Sequence, residues 1–251
     1  MSFIDRTGEI NINSQGLKME IIKYINSLNI DVRFENGYIS KNKTYYSFRR
    51  GFIKNVYHPI VCGVGYMGDG NYICGKTNNT TIHYKTWSAM LKRCYDEKYH
   101  QKYPTYKDCN VCEEWHNFQN FGKWFDENYY EIENEKMQLD KDILIKGNKI
   151  YSPETCIFVP RRINLLFTKN NEIRGNHPIG VYYTKNKRFE SKLKKNGKKI
   201  HLCYASTPEE AFEVYKFEKE KYIKEVADEY KDKIPQRLYD AMYRYKVEID
   251  D

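Results

Sequence analysis

GNHPIGVYYTKNKRFESKLKKNGKKIHLCYAS, residues 175–206, decides how this chain is read. Positions 174–202 carry nine Lys/Arg against one acid, Glu190, so the local excess of +8 equals the formal charge of the whole 251-residue protein. Strand alternation predicts that Val181, Phe189, Ser191, Leu193, Ile200 and Leu202 share one face of a small sheet. Tyr182, Arg188, Glu190, Lys192, Lys194, Lys199 and His201 then fall on the other face. Cations interleaved with aromatic and hydrogen-bonding groups suit a polyanion with readable edges, which implies nucleic acid. A solvated lysine-rich surface is the competing reading, and it accounts less well for charge that is concentrated rather than spread. Downstream, Thr207-Pro208-Glu209-Glu210 forms a capping box with proline at N1. The helix it starts carries Ala211, Phe212, Val214, Tyr215, Tyr222, Ile223 and Val226, which can cover the apolar side of the sheet.

The bulk composition favours thin modules. Hydrophobic content is 40% and mean hydropathy −0.83, low for one thick core, and 24 tyrosines supply much of the surface to be buried. No run approaches transmembrane length and the N-terminus lacks an apolar targeting stretch, so no membrane partner is expected. Seven cysteines without a repeating framework predict reduced thiols in a cytoplasm. The pI near 8.9 agrees with a nucleic-acid partner.

Upstream, residues 1–58 read as a small β-rich module with strands near 19–24 and 30–35, a hairpin turn at Glu35-Asn36-Gly37, and Tyr45, Phe48 and Phe52 closing a barrel-like core. An accessory or oligomerisation role is the plain expectation for it. Five glycines between Gly63 and Gly75 predict a flexible connection or hairpin tips. Trp87, Met90, Leu91, Cys94 and Tyr95 form an amphipathic helical stripe, and Trp115, Phe118, Phe121 and Phe125 a second; both read as core. Met137-Gln138-Leu139-Asp140, a loop at 146–149, Cys156-Ile157-Phe158-Val159, and a helix begun by Pro160 with Arg161, Arg162, Asn164, Leu165 and Phe167 compose a β-β-α unit. For Asp140 and Asp142 turn-capping or ion pairing to the adjacent lysines is the structural alternative to a functional role. Cys109 and Cys112 make a lone CxxC without a second close pair; half-buried thiols, rather than zinc ligands, are expected.

Two resemblances follow from these residues. Gly180-Val181-Tyr182-Tyr183, Arg188-Phe189-Glu190-Ser191-Lys192-Leu193, Asn196-Gly197-Lys198-Lys199-Ile200-His201-Leu202 and Thr207-Pro208-Glu209-Glu210-Ala211-Phe212 resemble an Apetala/ethylene-response-factor (ERF) DNA-binding domain over about residues 176–227. That resemblance implies a three-stranded sheet in the major groove of double-stranded DNA, with Tyr182, Lys185, Arg188, Glu190, Lys192, Lys194, Lys199 and His201 as contacts. This copy is lysine-rich where the plant domains use arginine, and lysine lacks the planar fork of a guanidinium. Trp87, Arg93-Cys94-Tyr95, Glu114-Trp115, Leu139-Asp140-Lys141-Asp142, Tyr151-Ser152-Pro153-Glu154-Thr155-Cys156 and Ile163-Asn164 resemble phage and intron-encoded HNH homing endonucleases. It implies Asp140 and Asn164 as ligands of a magnesium or manganese ion, and Arg161 and Arg162 as backbone contacts near the cut. Where that family places a histidine base and a loop-tying asparagine, this chain has Lys141 and Thr155. Lys141 is read as a phosphate clamp or an unusual base, with His83, His100 or His116 as other bases to be sought in space.

The expectation is an α+β protein: a β module at 1–58, an HNH-like β-β-α domain with preceding helices at 59–170, a three-stranded sheet packed on a helix at 174–232, and a helical tail at 233–251. The expected function is a phage or mobile-element DNA endonuclease with Asp140, Lys141, Asp142 and Asn164 at its catalytic site, acting in a bacterial cytoplasm. The alternatives are a non-catalytic DNA-binding protein on a degenerate HNH scaffold, or a module whose basic face meets an acidic protein.

Overall fold

A computed structural model describes residues 4–76, 78–168, 177–249 and 251. The chain forms two compact units, Met1–Phe125 and Asp126–Asp251, and mixes helices with several small sheets, an α+β fold.

In the first unit, β1 (Ile10–Ile12), β2 (Lys18–Asn26), β3 (Asn29–Phe34) and β4 (Ile39–Lys43) form a four-stranded antiparallel meander. The alternating residues Met19, Ile21, Ile30, Val32 and Phe34 point into its core together with Phe48 and Ile53. Gly37 takes a φ of +86° in the β3–β4 turn and its amide donates to Phe34 O, as the Asn-Gly pair predicts. Thr44 caps the short α1 (Tyr45–Arg49), accepting from Ser47 N. Phe48 is fully buried, whereas Phe52, expected to help close this core, is 55% exposed.

α2 (Ile82–Tyr95) buries Trp87, Met90, Leu91 and Cys94; α3 (Glu97–Lys102) follows it. Trp115 lies in a 3-10 turn, and α4 (Phe118–Asn128) buries Phe118, Phe121 and Phe125. In the glycine-rich stretch Gly63, with a φ of +74°, lies in the turn of an antiparallel bridge between Val61 and Gly65, one of the hairpin tips expected, and other glycines are closely packed. A Cβ at Gly65 would strike Leu91 and Trp87, and one at Gly70 would strike Gln119. Gln119 in turn accepts from Tyr72 N and donates to Met67 O and Tyr72 O. Glycine there permits close approach to the two helices.

The second unit opens with the β-β-α element. β5 (Met137–Asp140) pairs antiparallel with β6 (Ile157–Pro160), Asp140 opposite Ile157 and Gln138 opposite Val159, and α5 (Arg161–Phe167) follows. Pro160, expected in the first helical turn, sits one place earlier as N-cap and still pairs with Met137 in the ladder. β7 (Val181–Tyr183), β8 (Phe189–Lys195) and β9 (Lys198–Ala205) form a three-stranded antiparallel sheet in sequence order. α6 (Pro208–Glu229) starts at the full capping box of Thr207 and Glu210, and α7 (Gln236–Arg244) follows Pro235. One continuous core joins Ile143, Ile157, Val159 and Ile163 of the β-β-α element to Val181, Leu193, Phe212, Val226, Leu238 and Met242. No helix among the described residues is long and apolar enough to cross a membrane.

Candidate nucleic-acid interface and candidate metal centre

The sheet of the second unit has two unlike faces. Val181, Ser191 and Leu193 are buried in the shared core, while Lys194, Lys199, His201 and Tyr204 are exposed and Tyr182, Glu190 and Lys192 half-buried. Register explains an error of simple alternation. A bulge between Ser191 and Lys192 pairs Ser191 with Cys203 but Lys192 with His201, so Leu202 is the extra residue. Beyond it the parity of β9 inverts: Tyr204 comes opposite Glu190 on the cationic face, and Cys203 turns toward the core side. Alternation alone does not place Tyr204, because nothing in residues 198–205 marks the bulge. Ile200, expected on the core side, is 43% exposed opposite Leu193.

The side chains of this face form a connected array. Glu190 Oε2 takes Lys192 Nζ at 2.8 Å and Oε1 meets His201 Nδ1 at 3.0 Å. The Lys192 bond, then the His201 bond, holds the Glu190 carboxyl below its ordinary value. Lys192 and Lys199 both lie over the Tyr182 ring, at 5.7 and 5.6 Å, and the His201 ring meets Tyr204 tilted at 43°, 4.4 Å between centroids. Each Glu190 oxygen is thus bonded to one neighbour on this face, Lys192 or His201. Lys185 and Arg188 are exposed in the β7–β8 turn, which Thr184 Oγ1 closes by donating to Arg188 O at 2.9 Å. Lys195 turns away to Glu225 and the Tyr222 ring.

The two arginines of α5 differ. Arg161 is exposed. Arg162 is an internal clamp: it donates to Glu229 Oε2 and to Asn196 Oδ1 and lies over the Tyr230 ring at 5.6 Å. The Glu229 bond foremost keeps its guanidinium charged, above the ordinary arginine range.

Asp140 ends β5 with Oδ1 accepting from Asp142 N at 3.0 Å and Ile143 N at 2.8 Å, the turn-capping expected of an aspartate there. Oδ2 takes part in neither bond. Burial, and then the nearby Asp142 carboxylate, push this carboxyl up to about 6, against the opposing pull of the two amides and Lys141. Lys141 is only 7% exposed and donates to Asp142 Oδ2 at 3.1 Å and Asn148 O at 3.0 Å. Asn164 donates from Nδ2 to Gln138 Oε1 at 3.0 Å. Gln138 and Asp140 are two apart on β5, on the face opposite buried Leu139, so Asn164 is drawn to the face that bears the acid. Gln138 escaped the sequence reading, although its spacing from Asp140 carries the signal. Thr155 fills the loop-tying place, donating from Oγ1 to Ile150 O at 2.8 Å.

The donor types suit a hard divalent cation: a carboxylate destabilised by burial and a second acid, and an amide whose oxygen is not used in the Gln138 bond. Among the described residues no group of three or more His, Cys, Asp and Glu side chains converges to hold a metal. His83 lies tilted against Phe125, His100 Nε2 meets Arg93 O, and His116 Nε2 meets Tyr95 OH, all within the first unit. Cys109 is buried and Cys112 half-buried. No family model, curated protein or solved structure matches the chain.

Proposed function

We propose that the protein is a DNA-binding endonuclease, of the HNH homing type in phages or mobile elements, that hydrolyses a phosphodiester of double-stranded DNA with magnesium or manganese in a bacterial cytoplasm. The observation that carries the reading is the single core joining an exposed cationic sheet to a β-β-α element whose Asp140 carboxyl is pushed up to about 6. Lys185, Arg188, Lys194 and Lys199 hold phosphates, and Tyr182, His201 and Tyr204 meet base edges or sugars. Glu190 orients Lys192 and His201. Asp140 Oδ2 and the Asn164 amide oxygen would hold the divalent ion, which when bound supplies Lewis-acid stabilisation of the phosphate and an activated water. Arg161 reaches the backbone near the cut. Lys141, committed to Asp142 and Asn148, keeps the loop and its second acid in place.

That same commitment of Lys141 favours a second reading, a non-catalytic DNA-binding protein, since an ammonium with two acceptors is a poor proton acceptor. Plasmid nicking with Mg2+ or Mn2+ separates the two. The endonuclease nicks, and Asp140→Ala loses at least about 100-fold of the rate with duplex affinity within about twofold. Tight duplex binding without cutting selects the second reading. Phosphate contact also predicts that log affinity falls with log salt at a slope of about −4.5 for five cations, reduced by about 1 in Lys199→Ala. No association with duplex at low salt removes both readings.

A further inference from the structure

The first unit carries a surface that the proposed function does not use. Residues 36–68 contain no acid and five cations, Lys41, Lys43, Arg49, Arg50 and Lys54, all exposed. The same stretch of chain exposes two aromatic rings that a soluble core would normally take in. Tyr46 is 66% and Phe52 55% exposed, and they meet edge to face at 6.4 Å and 71°. The Arg50 guanidinium lies over the Phe52 ring at 5.7 Å.

The rings are held in place by the backbone beneath them. Asn11 Nδ2 donates to Phe48 O and Arg49 O at the end of α1, and Asn13 Nδ2 to Ile53 O. Gln15 brackets Asn55, accepting from its amide and donating to its carbonyl. Ser14 N donates to Gly51 O, and Gly51 adopts a φ of +66° where a Cβ would meet Ile12 O at 3.0 Å. Asn13 and Asn55 are nearly fully buried, so the segment that lifts Phe52 into solvent is built in, not frayed. Rigid exposed aromatics lose little entropy on stacking a planar partner.

We propose that this surface is a second nucleic-acid site that takes single-stranded nucleic acid, stacking unpaired bases on Tyr46 and Phe52 while Arg49, Arg50 and the flanking lysines hold the phosphates. Duplex DNA hides its base faces in its own stack and offers these rings nothing but phosphate. A second copy of the same patch would set Arg49 and Arg50 against their like-charged counterparts. The proposal is independent of the reading of the second unit.

The test titrates the full-length chain into labelled oligothymidylate of about ten nucleotides, an abasic oligomer of equal length, oligouridylate, duplex DNA and phosphatidylserine vesicles. Oligothymidylate binds at least about tenfold tighter than the abasic strand, and Tyr46→Ala/Phe52→Ala abolishes that advantage with duplex affinity within about twofold. Both positions are exposed, and an unchanged thermal transition verifies the fold. Arg49→Ala/Arg50→Ala weakens thymidylate and abasic strands alike. Oligouridylate bound more tightly than oligothymidylate assigns RNA as the source of the bases; the reverse assigns DNA. The proposal is overturned if thymidylate and abasic strands bind equally, if the double variant keeps the advantage, or if it removes only vesicle binding. Lys192→Ala/Lys194→Ala/Lys199→Ala lowers duplex affinity and leaves the thymidylate advantage intact. A chain that ignores duplex but shows that advantage refutes the second unit's role alone.

Discussion

Asp140 carries the sharpest consequence at the scale of one residue. Its folded carboxyl keeps a proton up to about pH 6, whereas the unfolded chain releases it near 3.8, so the folded state binds more protons in that window. Stability therefore falls as pH rises from about 4 to 6, and the charge left at pH 7 is a liability the fold retains. Asn in its place keeps an oxygen for the amides of Asp142 and Ile143 and sheds the charge. Asp140→Asn is thus expected to gain about 1–3 kcal/mol at pH 7, after discounting for solvent at this half-buried site, and to flatten the acid limb of the stability curve. Denaturant melts at pH 4, 5.5 and 7 measure it. Loss of nicking in the same variant marks a residue kept for function against stability, while a destabilised variant with unaltered pH dependence shows Asp140 to be a turn cap alone. The identity of Asp140 was legible from its neighbours in sequence; its second oxygen and the commitment of Lys141 to Asn148 were not, because both depend on where the loop at 146–149 returns.

Elements were read most securely where pattern and cap agree. Thr207 and Glu210 begin α6 as their spacing dictates, and the stripe of Trp87, Met90, Leu91 and Cys94 is buried as its period requires. Pattern gives no warning where one residue breaks the period: the bulge at Leu202 sets Tyr204 on the cationic face through pairing with a neighbouring strand. Gly180 shows a constraint that composition hides. It has a φ of +79°, and the Tyr215 ring of α6 occupies the place a Cβ would need. Gly180→Ala is expected to cost about 2–4 kcal/mol through backbone strain and displacement of that ring. Urea unfolding followed by tyrosine fluorescence measures the cost, and a change below about 0.5 kcal/mol would show that the sheet does not need this close approach.

At the scale of the whole molecule, the second unit joins what the sequence separates. The β-β-α element and the cationic sheet share one set of buried side chains, and Arg162 ties α5 to Glu229 and Asn196 across them. Damage to one part should loosen the other. Leu193→Ala, at a buried sheet position, is expected to cost about 2–4 kcal/mol and to lower hydrogen-exchange protection in Met137–Asp140 and Arg161–Phe167 together with the sheet. Protection lost only in residues 181–205 would mean two cores that unfold separately. Under the proposed function, the shared core ties the position of DNA on the sheet to what Asp140 can reach.

Local chemistry determined a great deal before any fold was known: the α+β class, the strand that ends in Asp140, the capped helix behind the lysines, and the density of cations in 174–202. Those features depend on spacing, turn residues and charge, which neighbours along the chain specify. Tertiary structure alone decided which groups face each other. It turned Phe52 and Tyr204 outward, set Gln138 beside Asn164, spent Arg162 and Glu190 on internal partners, and packed the glycines at 65–70 against two helices. Each of these follows from contacts between residues far apart in sequence, where steric fit and the need to satisfy buried polar groups outweigh any local preference.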